Sequence, residues 1–277
     1  MATSEPDVDK LCGDFATKNA ITSVSESKIE AKTDVNDNTK DIEKLCDNSS
    51  NISEEIRKKL SENYIKCVKG YHLINDDPIK ETPWEDINAQ VLSTSGCNIE
   101  AQSNGSHKPG ADLLCSLGAL SNKSTQYESN NKSFKLSSYR LTTVCSDKTP
   151  GNIESIIAEI NSRKNFKYYS IIVRDEKEKE FQYDWYLIPS DYPQFNPSSY
   201  KWIPKIGKQG KNKGSTTGWE TNIINGSSMS ITFSMSSQLW IDIVITEEIK
   251  KFVISSCKVN KGRKLNYIKL YEREMGI

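Results

Sequence analysis

Two residues of this chain have the types and setting that phosphate chemistry uses. Asp112 opens an apolar run at residues 111–120, directly after the turn-forming Pro109-Gly110. Lys135 lies inside a second strand-like run at residues 132–144. A carboxylate and an ammonium on adjacent strands are a minimal set for metal-assisted cleavage of a phosphodiester. The carboxylate holds a divalent cation, and the lysine steadies the attacking water and the charge building on phosphorus. A second carboxylate is usual two residues before the lysine, and Ser133 stands there instead. Glu85, on an upstream helix, could supply the missing oxygen. Each residue also has a plainer reading. Asp112 could be a turn cap, Lys135 an edge-strand lysine, and Glu85 the third helical residue of a capping box, Thr82-Pro83-Trp84-Glu85.

A polyanionic substrate needs a cationic surface, and the sequence offers one. No acid occurs from Tyr192 to Trp219, while Lys201, Lys205, Lys208, Lys211 and Lys213 fall inside that stretch. Glycines at 207, 210, 214 and 218 keep its backbone accessible, and Thr216 and Thr217 add hydroxyls. Such a loop can neutralise phosphates and place donors at base edges. Ser137, Ser138 and Arg140, just after Lys135, and Lys108, just before Asp112, are further candidates for DNA contact. The plain alternative is a solvated basic loop with no ligand.

The elements that must position these residues can be read from periodicity. Ile52, Ile56, Leu60 and Tyr64 recur on one helical face, and Gly70 can end that helix. A second helix is predicted over residues 82–93 with Trp84, Ile87 and Val91 as its stripe. Strands are predicted at 111–118 and 132–145, joined by a polar hairpin loop at 121–131. Ile153, Ile156, Ile157 and Ile160 mark a third helix. Residues 167–174 and 181–188 read as strands, and 190–218 as one long loop. Asn225-Gly226 is a hairpin turn between 219–224 and 228–235. The order argues an α/β (α+β) fold with a mixed sheet flanked by helices.

The bulk composition narrows the rest. The 277 residues balance 37 basic against 37 acidic side chains, yet residues 1–50 carry eleven acids and six lysines. That stretch reads as a weakly ordered acidic arm, leaving 51–277 as one domain, with its core at about 81–190 and its DNA-contact part at 195–246. Mean hydropathy is −0.63, and no apolar run is long enough to span a membrane. Seven scattered cysteines without a CxxC pair, and two histidines, argue against structural zinc. The unpaired thiols and the lack of a signal peptide suggest the cytoplasm of a microbe, or of a virus-infected cell.

The helix with Glu85, then Pro-Gly-Ala-Asp112, then Ser133-Phe134-Lys135-Leu136-Ser137-Ser138, resembles the PD-(D/E)XK nuclease core. Type II restriction endonucleases of the MspI group, where a neutral residue replaces the family carboxylate, are the nearest in pattern. The resemblance covers residues 81–145. It implies a sequence-specific, Mg²⁺-dependent endonuclease acting on double-stranded DNA and leaving 5′-phosphates, as a monomer or homodimer. Asp112 and Glu85 would hold the metal, Lys135 would be the orienting cation, and Ser133 would stand in for the second carboxylate. Two rivals stay open: a DNA-binding protein that kept the fold but lost catalysis, and an unrelated structural or interaction protein.

Overall fold

The computed structural model describes residues 52–102, 110–262 and 264–277, with the Lys211 side chain excepted. The acidic arm at 1–50, His107 and Lys108 lie outside the described residues. Five helices and eleven strands are present among those described. The helices are α1 (Glu54–Ile74), α2 (Glu81–Thr94), α3 (Ile153–Arg163), α4 (Glu247–Lys250) and α5 (Tyr267–Met275). The strands are β1 (Ile99–Gln102), β2 (Leu113–Cys115), β3 (Gly118–Glu128), β4 (Ser133–Arg140), β5 (Tyr168–Glu176) and β6 (Glu180–Pro189). The remainder are β7 (Trp202–Ile206), β8 (Thr216–Thr221), β9 (Ser228–Thr232), β10 (Gln238–Val244) and β11 (Val253–Asn260). No described helix is long and apolar enough to cross a membrane.

All strands join one mixed sheet. Its main path runs β11-β6-β5-β3-β4-β10-β9-β8-β7, with β1 and β2 attached to it through β3. The β3–β5 pair is parallel, and the crossover between them carries α3. The expected mixed sheet with flanking helices is therefore present. Two cores hold it. In one, α1 and α2 pack Leu60, Tyr64, Trp84 and Val91 against Tyr183 and Trp185 of β6. In the other, Phe134, Ile171, Ile231 and Ile241 from both halves of the sheet meet Ile156 and Ile160 of α3. The sheet must bend for its two halves to share that core. Each such fully buried aliphatic or aromatic side chain contributes about 1.5–3 kcal/mol.

The helices arise where their periodicity puts them. Ser53 caps α1 by accepting from the Ile56 amide, and Asn152 caps α3 by accepting from Ser155. Helix α2 departs from expectation at its start. It begins at Glu81 with Lys80 as its cap, and no side chain closes a capping bond. The Thr82 box does not form, so Glu85 lies beyond the first turn and is not explained by capping.

The largest departure is β3. The stretch expected to be a hairpin loop, 121–131, is mostly strand. Strand β2 pairs with β1 on one edge and on the other with β3, reached through a two-residue turn after Cys115 that ends on Gly118 at φ +114°. The polar residues that suggested a loop are buried instead: Ser121 and Asn122 are 4 % and 1 % exposed. They form a strand because each has a hydrogen-bond partner there, as described below. The predicted long loop at 190–218 likewise contains β7 and the start of β8. Strand β7 is an outer edge of the sheet, with Pro204 at its centre and Ile203 and Ile206 exposed on either side.

Candidate functional site

Strand β3 carries the site because its pairing is incomplete. Residues Leu120 to Gln126 pair with β5 on one edge. On the other, β2 pairs only as far as Leu120, and β4 takes up pairing only at Tyr127 and Glu128. Ser121 to Gln126 thus have a strand on one edge alone. The fork between β2 and β4 opens into a cleft of about 360 Å³, lined by Glu81, Asp112, Ser121, Lys123, Arg140 and Arg163 among others.

Asp112 sits at the root of the fork. Gly110 brings the chain in at φ +117°, where a Cβ would fall 1.9 Å from Asn165 Oδ1. The Ala111 amide donates to that same oxygen at 2.8 Å. The Asp112 amide donates to the Leu120 carbonyl at 2.8 Å, the last rung beside β2. Its carboxylate then replaces the missing strand: Oδ2 accepts from the Asn122 amide at 2.6 Å and from Ser121 Oγ at 3.2 Å. Lys123 Nζ stands 3.8 Å from the same oxygen and 3.5 Å from Glu81 Oε1. Lys123 also donates to the Asn122 carbonyl at 2.8 Å, and its side chain is only 17 % exposed.

Glu85 faces this group from α2. Partial burial lifts its carboxyl above the ordinary 4.5, and the charges of Asp112 and Glu81 add to the rise while Lys123 opposes it. The cleft itself is lined by the carboxylates of Glu81 and Asp112 and the cations Lys123, Arg140 and Arg163, while Glu85, outside that lining, feels the charges of Asp112, Glu81 and Lys123. Across the cleft, Ser137, Ser138, Tyr139 and Arg140 of β4 form the opposite wall. Tyr139 holds the left-handed φ of +45°, and its buried hydroxyl faces that of Tyr169. For a bulky residue that conformation is strained. Arg163 donates to the Arg140 carbonyl at 2.7 Å and to Thr143 Oγ1 at 3.0 Å, and it is ion-paired with Glu159.

The other expected residues are placed elsewhere. Asp112 and Lys135 are not on neighbouring strands, because β3 lies between β2 and β4. The Lys135 ammonium lies 5.4 Å from the centroid of the Trp240 ring, across from Asp242 on β10. Ser133 is 1 % exposed and its hydroxyl points to Glu128 at 3.5 Å. Ser137, Ser138 and Arg140 do line the cleft. Lys208, Lys213 and Thr216 are exposed, but β8 lies three strand spacings from β4, about 14 Å along the sheet. Thr217 is committed to the Lys205 carbonyl at 3.0 Å. Lys211 offers backbone only, and Lys108 is outside the described residues.

The lysine beside Asp112 is Lys123. Its spacing repeats the one read at Lys135: Ser121-Asn122-Lys123 also has serine two residues before lysine. Among the described residues no three His, Cys, Asp or Glu side chains are close enough to enclose a metal ion. Mg²⁺ does not demand such a cage. It is commonly held by one or two carboxylates, with waters and substrate phosphate completing its shell. Asp112 and Glu85, electrostatically coupled on facing elements, fit that mode.

Glu85 also sets a pH dependence of stability. Its folded value lies above 4.5, so the native state binds the extra proton. That contribution is complete below about pH 4.5 and is lost as pH rises through the folded value. Glu85→Gln should therefore gain stability over wild type at pH 7 relative to pH 4. Urea unfolding at the two pH values checks this, and an unchanged gap between the proteins would contradict it.

No protein-family model matches the chain, and no curated protein or solved structure is significantly similar to it.

Proposed function

We propose that this protein is a Mg²⁺-dependent endonuclease acting on double-stranded DNA, with a PD-(D/E)XK-like site in the fork of β3. The single observation that carries the reading is Lys123 Nζ at 3.8 Å from Asp112 Oδ2 on the β2–β3 hairpin. Asp112, Lys123 and Glu81 of α2 line one cleft, and Glu85, one turn further along α2, is electrostatically coupled to them. In this site Asp112 and Glu85 would hold the metal, which would supply charge neutralisation and an activated water. Lys123 orients the water and offsets the charge growing on the phosphate oxygens. Ser121 occupies the place of the second carboxylate and steadies Asp112 instead of binding metal. Ser137 and Arg140, exposed on the far wall, take the flanking phosphates. The exposed lysines near β8 extend the same contact to DNA beyond the cleft.

One observation favours a second reading, a DNA-binding protein without catalysis. Asp112 Oδ2 already accepts two bonds within the fold, as a structural cap of the β3 edge would. Incubation with plasmid DNA separates the two. Cleavage with Mg²⁺ that is absent with EDTA and in Asp112→Asn supports the nuclease. Retarded but intact DNA supports the binder. Absence of any DNA effect at low salt would sink both.

A further inference from the structure

The side chain of Asn88 is wholly buried on a helix face otherwise filled by Trp84, Ile87, Val91 and Leu92. Its Nδ2 donates to Asn122 Oδ1 at 2.6 Å, and Asn122 is itself 1 % exposed. Asn122 is the residue whose amide holds Asp112 Oδ2, also at 2.6 Å. A continuous chain thus runs from α2 through β3 to the candidate metal-binding carboxylate. Glu81, Glu85 and Asn88 lie at i, i+4 and i+7, so one stripe of α2 is acidic at its open end and amide at its buried end. Asn88 Oδ1 has no partner among the described residues. An unsatisfied buried carbonyl is unfavourable, and an apolar side chain of the same shape would remove that cost. Packing alone therefore does not account for an amide here.

We propose that Asn88 is a positioning residue: through Asn122 it fixes the spacing between the acids of α2 and the Asp112–Lys123 pair of the β2–β3 hairpin. The inference rests on the nuclease reading, for which that spacing sets where Glu85 stands relative to Asp112. The amide pair acts as a distance stop. Apolar residues would let α2 slide on β3, whereas a short hydrogen bond admits one register.

The test compares full-length wild type with Asn88→Leu and with the double variant Asn88→Leu/Asn122→Leu. The double variant leaves no amide unpaired, so its fold survives even if the single variant is destabilised. Mg²⁺-dependent plasmid cleavage is measured across pH, together with the titration of the Glu85 carboxyl by NMR without metal. We expect kcat to fall about 10- to 100-fold with KM for DNA changed less than about twofold. The Glu85 titration should move down toward its ordinary value as Asp112 recedes, and the acid limb of the rate profile should move with it. A purely structural amide would alter unfolding and leave both titrations in place. Active wild type with unchanged kcat and unchanged Glu85 titration in a folded double variant overturns this inference alone. Wild type that leaves DNA intact overturns the nuclease reading, and this inference with it.

Discussion

Lys123→Ala should lower Mg²⁺-dependent cleavage by about 10²- to 10³-fold, as removal of a transition-state donor does elsewhere. Lys135→Ala should leave the rate within about twofold. The contrast follows from placement. Lys123 is the ammonium that stands beside both Glu81 and Asp112, with its stem buried in the fork. Lys135 lies over Trp240 on a strand that does not touch β2. Removing Lys123 also removes the charge that opposes the rise of Glu85, so that carboxyl should titrate still higher in the variant. Single-turnover cleavage assays and an NMR titration read the two effects separately. Equal losses in the two variants would show that the wrong lysine has been assigned.

Trp84→Ala should cost about 3–5 kcal/mol of stability. For a domain whose whole stability is about 5–15 kcal/mol that is a large share. Trp84 is fully buried, meets Trp185 edge-on with ring centroids 5.8 Å apart, and donates from Nε1 to the Ser170 carbonyl at 3.1 Å. Truncation therefore opens a ring-sized cavity and leaves a buried carbonyl without its donor. Because Trp84 anchors the first turns of α2, Glu85 and Asn88 lose their support together. Urea unfolding gives the size of the loss. A change below about 1 kcal/mol would mean that α1 closes over the gap.

The helices were legible because burial imposes their period. Ile56, Leu60, Tyr64 and Val68 predicted α1, and Ile153 to Ile160 predicted α3, each within a few residues of the observed ends. Strands β5 and β6 were equally plain, since β-branched and aromatic residues fill them. Strand β3 was not, and with it the proximity of Lys123 to Asp112 stayed hidden. Its helix-facing residues are Leu120, Asn122 and Ser124, an alternation that is two-thirds polar. Asn122 is buried because Asn88 pairs with its side chain and Asp112 with its backbone amide, and the half-buried Ser124 donates to the Ile79 carbonyl. Hydropathy cannot see such pairing, and a satisfied polar strand reads as a loop. The motif Ser-x-Lys occurs at both 121–123 and 133–135. The apolar neighbours Phe134 and Leu136 drew attention to the second, although the turn after Asp112 leads directly to the first. Glu85 and Asp112 could be singled out as candidates because an acid opening a strand, and an acid on the preceding helix, need no tertiary information.

Pro204 has a consequence for the protein at high concentration. An eleven-stranded open sheet ends in β7, whose sequence Trp202-Ile203-Pro204-Lys205-Ile206 would otherwise be a good template for a foreign strand. Proline has no amide to offer there, so the ladder of an incoming chain would lack a donor at its centre. Two exposed isoleucines can then remain on that rim without recruiting neighbours into a growing sheet. With valine at 204 the same edge would present an unbroken β-forming segment, and the protein's solubility would come to depend on its concentration.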